Sequence, residues 1–185
     1  RRTDCAFHLM SREAGRVLER CRGQFDVVLQ SGALFSASAA KEWAPYCLYI
    51  DHTYAISKRY QPLPGMPPYG RMSRRWEQAE ADVFRSADCV FVMSRFVERS
   101  LRDDYKLTED RIVVAGAGPN LTSFPELSRE SRDGKTILFV GKEFVRKGGL
   151  FLIEAFRRLV QRVPDARLVI AGVRPSDLPE LPPGV

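Results

Sequence analysis

The segment TILFVGKEFVRKGGLFLIEAFRRLVQRVPDARLVIAG, residues 136–172, narrows the possible folds more than any other part of the chain. Its short apolar run Ile137–Val140 ends at Gly141, which predicts a buried parallel strand entering a tight turn. Leu152, Ile153, Phe156, Leu159, Val160 and Val163 then recur at helical spacing, and Leu168–Ala171 is a second apolar strand that closes at Gly172. One strand-helix-strand unit results. The loop that opens its helix carries Lys142, Arg146, Lys147 and the pair Gly148-Gly149.

In an open parallel sheet, ligands bind outside the carboxyl ends of the strands. A helix start at that place offers unpaired N–H groups and the positive end of the dipole. Lys142 and Lys147 add fixed positive charge beside it, so the expected partner is anionic, a phosphate above all. Gly141 and Gly148 fit either of two needs, a turn with positive φ or close approach of the backbone to a phosphate. Arg146 is expected to face solvent.

Upstream, Phe7, Met10, Ala14, Val17, Leu18 and Cys21 form a helical stripe that Gly23 ends. Residues 25–29 (FDVVL) predict a strand, and 46–50 (YCLYI) a second that delivers Asp51, His52 and Thr53 at its carboxyl end. Residues 61–70 (QPLPGMPPYG) are too rich in proline for either element and predict a loop. Met72, Trp76, Ala79, Val83 and Phe84 mark a helix, and 89–93 (CVFVM) a strand. Ser94 is placed to cap a short helix carrying Phe96, Val97, Leu101 and Tyr105, and 112–115 is a further strand. The βαβα alternation predicts parallel sheets with helices on both faces.

The chain has 185 residues, of which 44% are hydrophobic, ample for a core. Its net charge of +6 admits a nucleic-acid or acidic-membrane partner. The basic residues are scattered, however, with no run of five, which argues against nucleic acid and leaves peripheral contact with acidic lipid as the membrane expectation. Cys5, Cys21, Cys47 and Cys89 are far apart, and only His8 and His52 could join them, so no metal site is expected. Each cysteine has an apolar setting that predicts a small buried hydrophobe in a reducing cytoplasm. No run is long enough to span a bilayer, the first residues form no signal peptide, and the sequon Asn120-Leu121-Thr122 is read as chance.

The pattern G-K-x-x-x-x-K-G-G, residues 141–149, followed by a helix of the form LxEAFxxLxxxxPDAxLVIAG, resembles the start of the carboxy-terminal domain of retaining GT-B glycosyltransferases of family four, the glycosyltransferase group 1 type. Ala87 to Leu101, with the pattern AD-x-V-x-x-x-S-x-x-x-x-x-x-L, and Thr108 to Val114 are similar to the last strand-helix steps of that family's amino-terminal domain. The resemblance implies a GT-B-like α/β fold made of parts of two Rossmann-like, doubly wound domains. These are expected at 1–118 (acceptor side) and 135–185 (nucleotide-sugar donor side), with an interdomain hinge at 119–134.

It also implies transfer of a hexose from a UDP- or GDP-sugar to a glycan, lipid or small-molecule acceptor with retention of configuration, without metal or cofactor. The family loop is usually written G-R-x-x-x-x-K-G, and its Arg and Lys hold the donor diphosphate; these positions fall on Lys142 and Lys147, flanked by Gly141 and Gly148. Lysine at 142 keeps the charge but lacks the bidentate fork. His52 follows a strand end where the family has a histidine that touches donor or acceptor; a purely structural role is the alternative. The family's E-x7-E carboxylates, which contact donor sugar and ribose, have no counterpart after Gly172, so the expectation is an incomplete, nearly inactive piece of a longer cytoplasmic or peripheral enzyme.

Two other functions stay open: a nucleotide-sugar epimerase of the same architecture, and a non-catalytic nucleotide- or anion-binding protein. Other motifs fail. Leu121 stands at the third glycine position of a GxGxxG beginning at Gly116, and Gly134-Lys135-Thr136 leads into a strand where a P-loop needs a helix.

Overall fold

A computed structural model describes residues 4–60, 74–124, 126 and 134–185. They fall into two compact units that part between Asn120 and Leu121. The expected proline-rich loop at 61–70, the expected helix residue Met72 and most of the expected hinge at 119–134 lie outside the described residues.

The first unit runs α1 (Asp4–Arg20), β1 (Val28–Ser31), β2 (Tyr46–Ile50), α2 (Tyr54–Arg59), α3 (Arg74–Ser86), β3 (Cys89–Val92), α4 (Arg95–Asp103) and β4 (Ile112–Val114). Its strands are all parallel and lie in chain order, β1-β2-β3-β4. Leu29 stands opposite Cys47, Cys47 opposite Cys89, and Val90 opposite Ile112. Parallel α/β architecture is therefore what the alternation of elements encodes.

Alternate residues decide the core. Tyr46, Leu48, Ile50, Val90 and Val92 point to one face and are buried there against Phe7 of α1, Trp76 and Phe84 of α3, and Val97 and Leu101 of α4. The opposite face, with Leu29, Cys47, Tyr49, Cys89, Phe91 and Val113, stays partly or fully open among the described residues. Helices on both faces were expected; α1, α3 and α4 all lie on one. The reason is topological: strands added always in one direction by right-handed crossovers carry every crossover helix on the same side.

Local chemistry explains the boundaries. Ser94 caps α4 by accepting from the Val97 N–H, as its position before the apolar stripe required. Asp88, in the Ala87-Asp88 pair, accepts from the Tyr46 N–H at 2.9 Å and so fixes the start of β2. Lys41 beside it, more than the Tyr46 amide, holds the Asp88 carboxyl below its ordinary range. Pairing of β1 begins only where Val28 N–H meets Pro45 O, which leaves Phe25 and Val27 of the expected strand 25–29 exposed and outside the observed one. The short helix α2 had no periodicity to announce it.

The second unit is β5 (Thr136–Val140), α5 (Gly149–Val160) and β6 (Arg167–Ala171), with the two strands parallel. Phe144, Ile153, Phe156, Ala166 and Leu168 form its core. The expectation of a buried strand at 137–140 is corrected here: Leu138 is 62% and Val140 70% exposed, since α5 covers only one face of the pair. The proline-rich tail is ordered against this unit, with Gly184 O accepting from Leu168 N–H at 2.8 Å.

No cysteine is fully buried, contrary to expectation; Cys5 is exposed and the other three are half-buried. Among the described residues no helix is long and apolar enough to cross a membrane.

Candidate functional site

The loop between β5 and α5 is built by one aromatic residue and three glycines. Phe144 turns inward against Phe139 with ring centroids 5.4 Å apart, edge to face. Its backbone O accepts from the Gly149 N–H at 2.8 Å, and its ring lies so close that a Cβ on Gly149 would come within 2.3 Å of it. Gly148 then adopts the left-handed conformation, φ 83°, as the cap residue of α5. Gly141 has no positive φ; a Cβ there would sit 3.3 Å from Lys147 Cγ, so its bare Cα lets the lysine stem pass. Of the two needs considered for these glycines, the positive φ is present at Gly148 and not at Gly141.

The charges divide into committed and uncommitted. Arg146 is bound to Glu143, Nε to Oε2 at 2.8 Å, and this contact, with Lys147 nearby, lowers the Glu143 pKa. Lys142 and Lys147 are exposed and form no salt bridge among the described residues. Arg146 faces solvent as expected.

No side chain caps the first turn of α5. Gly149 N–H is taken by Phe144 O, whereas the Leu150 and Phe151 amides belong to a first turn that has no intrahelical acceptor for them. Gly141, Lys142, Lys147 and Gly148 are thus brought together at the carboxyl ends of β5 and β6, where Gly141 N–H also bonds Ala171 O. Unpaired amides at a helix start beside positive side chains are the physical ingredients from which anion sites are made in general.

His52 belongs to the other unit. It follows the carboxyl end of β2, is exposed, and its Nε2 lies 2.5 Å from Ser57 Oγ. Asp51, weighed as an orienting group, is exposed; Ser57, buried inside α2, is the ring's recorded partner.

A polar cluster beneath His52 escaped sequence reading. Thr53 caps α2 through the Ile56 N–H and shares a 2.7 Å hydrogen bond with Ser100. Buried Glu80 accepts from the Tyr54 N–H at 3.1 Å and from the Tyr105 hydroxyl, which in turn accepts from Ala55 N–H. Burial, then the Glu80 charge, push the Tyr105 pKa far up, so it stays a donor. One signal was available: Glu80 lies four residues after Trp76 and three before Val83, inside the apolar stripe of α3. A charge there needs partners.

No protein-family model matches the chain. The chain is 30% identical over 105 residues to “Putative glycosyltransferase YtcC” of Bacillus subtilis (strain 168), covering 49% of this chain and 26% of that relative. It is 39% identical over 64 residues to “Phosphatidyl-myo-inositol mannosyltransferase” of Mycobacterium tuberculosis (strain ATCC 25618 / H37Rv), covering 32% of this chain and 17% of that relative. It spans about a quarter or less of the length of these relatives. Parts of the chain are therefore similar to parts of glycosyltransferases, on a Rossmann-like parallel α/β frame.

Proposed function

We propose that the chain is part of a retaining GT-B glycosyltransferase that moves a hexose from a UDP- or GDP-sugar to an acceptor. The observation that carries this reading is the uncapped start of α5 with Lys142 and Lys147 uncommitted beside it. The amides of the first turn and the two lysines would hold the donor diphosphate, with Gly141 and Gly148 giving the backbone close approach. In the transfer, the bond from the anomeric carbon to the diphosphate oxygen breaks and the electron pair leaves with the diphosphate. The loop stabilises that charge electrostatically, a role that needs no metal. An acceptor hydroxyl forms the new bond to the anomeric carbon and passes its proton to the departing diphosphate oxygen. His52, held through Ser57, contacts sugar or acceptor. Similarity to a mannosyltransferase of a phospholipid supports the hexose donor and makes a lipid one of the acceptor classes to try.

The test is transfer by the native gene product from UDP- and GDP-hexoses to glycan and lipid acceptors, followed with Lys147→Ala and with the anomeric configuration of the product. Transfer that retains configuration and is lost in the variant supports the reading. Donor turnover without any acceptor would point to an epimerase. Nucleotide binding without turnover would point to the non-catalytic protein.

A further inference from the structure

The serine behind His52 carries a further inference, which takes the role of His52 from the proposed function and assigns where its ring hydrogen sits. Helix α2 has only six residues, too few to hold its shape alone. Its neighbours hold it instead. Thr53 caps it and bonds Ser100 at 2.7 Å, Glu80 accepts from the Tyr54 N–H, and the Tyr105 hydroxyl accepts from the Ala55 N–H. These ties fix the place of Ser57, one turn along, whose own N–H bonds Thr53 O at 3.2 Å. Ser57 is 6% exposed, and its Oγ lies 2.5 Å from Nε2 of the exposed His52.

The number of partners gives this contact a direction. A hydroxyl has one hydrogen to donate, and a neutral imidazole has one N–H. Among the described residues, His52 Nε2 is the one hydrogen-bond partner of Ser57 Oγ. Ser11 and Ser86 donate to carbonyls of the preceding turn, Phe7 O and Val83 O, and Ser57 does not. If Nε2 carried the hydrogen, the Ser57 hydroxyl would accept it and its own hydrogen would be buried without an acceptor. A stranded buried donor is costly, whereas a spare lone pair on the same oxygen is not. The serine therefore donates, Nε2 accepts, and the ring hydrogen is placed on Nδ1.

We infer that Ser57 is a positioning residue for His52: it holds the neutral imidazole as the Nδ1–H tautomer, the minor one for histidine in water. The lone pair of Nε2 is engaged by the serine and does not take a proton from substrate. Any hydrogen bond from the ring to a sugar or acceptor oxygen is donated through Nδ1. In the proposed transfer His52 is then a donor and not the base that receives the acceptor proton, which agrees with passage of that proton to the departing diphosphate.

The test is a long-range proton–nitrogen correlation NMR spectrum of the histidine rings in the native gene product, without ligand and at a pH where the ring is neutral, with His52→Gln to assign the signals. Expected are a protonated Nδ1 and an unprotonated Nε2 in wild type, reversal to mainly Nε2–H in Ser57→Ala, and the wild-type pattern in Ser57→Thr, which keeps the hydroxyl. Ser57→Cys takes the place of Ser57→Ala if the latter does not fold; its weakly donating thiol should raise the Nε2–H share several-fold. Mainly Nε2–H in wild type, or the same pattern in wild type and in the variant lacking the hydroxyl, overturns the inference. The spectrum is read without donor or acceptor, so it decides the inference whether or not transfer is found, and failure of transfer counts against the proposed function alone.

Discussion

Of the three α-helix starts that follow parallel strands among the described residues, at α2, α4 and α5, the first and the last have opposite chemistry. At α2 the positive end is already answered: Glu80 accepts from Tyr54 N–H, Thr53 from Ile56 N–H, and the Tyr105 hydroxyl from Ala55 N–H. At α5 no side chain caps the turn, the cap residue is a left-handed glycine, and two lysines without salt bridges stand beside it. Proximity to a strand end is therefore not enough to make an anion site. What matters is whether the protein's own side chains already answer the first-turn amides; those of α2 and α4 are capped in this way, and of the three only α5 has no side-chain cap.

The contrast is sharpest in binding. Lys147→Ala should weaken UDP or GDP binding by about tenfold to a hundredfold, the range for loss of one hydrogen bond to a charged group. Lys142→Arg, which restores the bidentate fork, should strengthen it several-fold. Calorimetric titration of the native product checks both. Equal binding by wild type and Lys147→Ala would remove the distinction between the two helix starts.

Next in size is Glu80→Ala. It strands the Tyr105 hydroxyl and the Tyr54 amide, and a loss of about 1–3 kcal/mol is expected in denaturant unfolding, with nucleotide binding unchanged. Gly149→Ala forces a Cβ onto the Phe144 ring and should cost about 1–3 kcal/mol, reported by melting of the second unit. Nucleotide affinity should fall with it, because that substitution spoils the open start and not the closed one.

The smallest effect concerns pH. The Asp88 pKa is lowered in the fold, by Lys41 first and the Tyr46 amide second. A depressed carboxylate adds stability above its unfolded pKa that is lost as pH falls through the folded value. Asp88→Asn should therefore be slightly less stable than wild type above about pH 4, and the gap should close below that; the side chain is 41% exposed, so the gap is small. A gap that widened in acid would contradict this assignment.

The succession of strands along the chain was legible because its signals are local. Apolar runs at 46–50, 89–93 and 137–140, the Ser94 cap and the stripe of α5 each act through neighbours in sequence. The basic loop was legible for the same reason: Lys142, Lys147 and Gly148 lie within a few residues of a strand end and a helix start. What stayed hidden depends on distant partners. Whether Met10, Val17, Leu138 and Val140 are buried is decided by what covers a face, and periodicity records only that a face exists. Ser57 and Glu80 act through contacts with His52 and Tyr105, five and 25 residues away. Gly149 was the other omission; the pair Gly148-Gly149 was noticed, but the need for the second glycine comes from the Phe144 ring folding back on it.

The central claim is that the start of α5 holds a nucleotide diphosphate. The most direct measurement is a titration of the native gene product with UDP and with GDP, following backbone amide signals by NMR. The account predicts saturable shifts at Gly148, Gly149, Leu150 and Phe151 that vanish in Lys147→Ala. Absence of saturable shifts at these amides with either nucleotide, or shifts that persist unchanged in the variant, would contradict it.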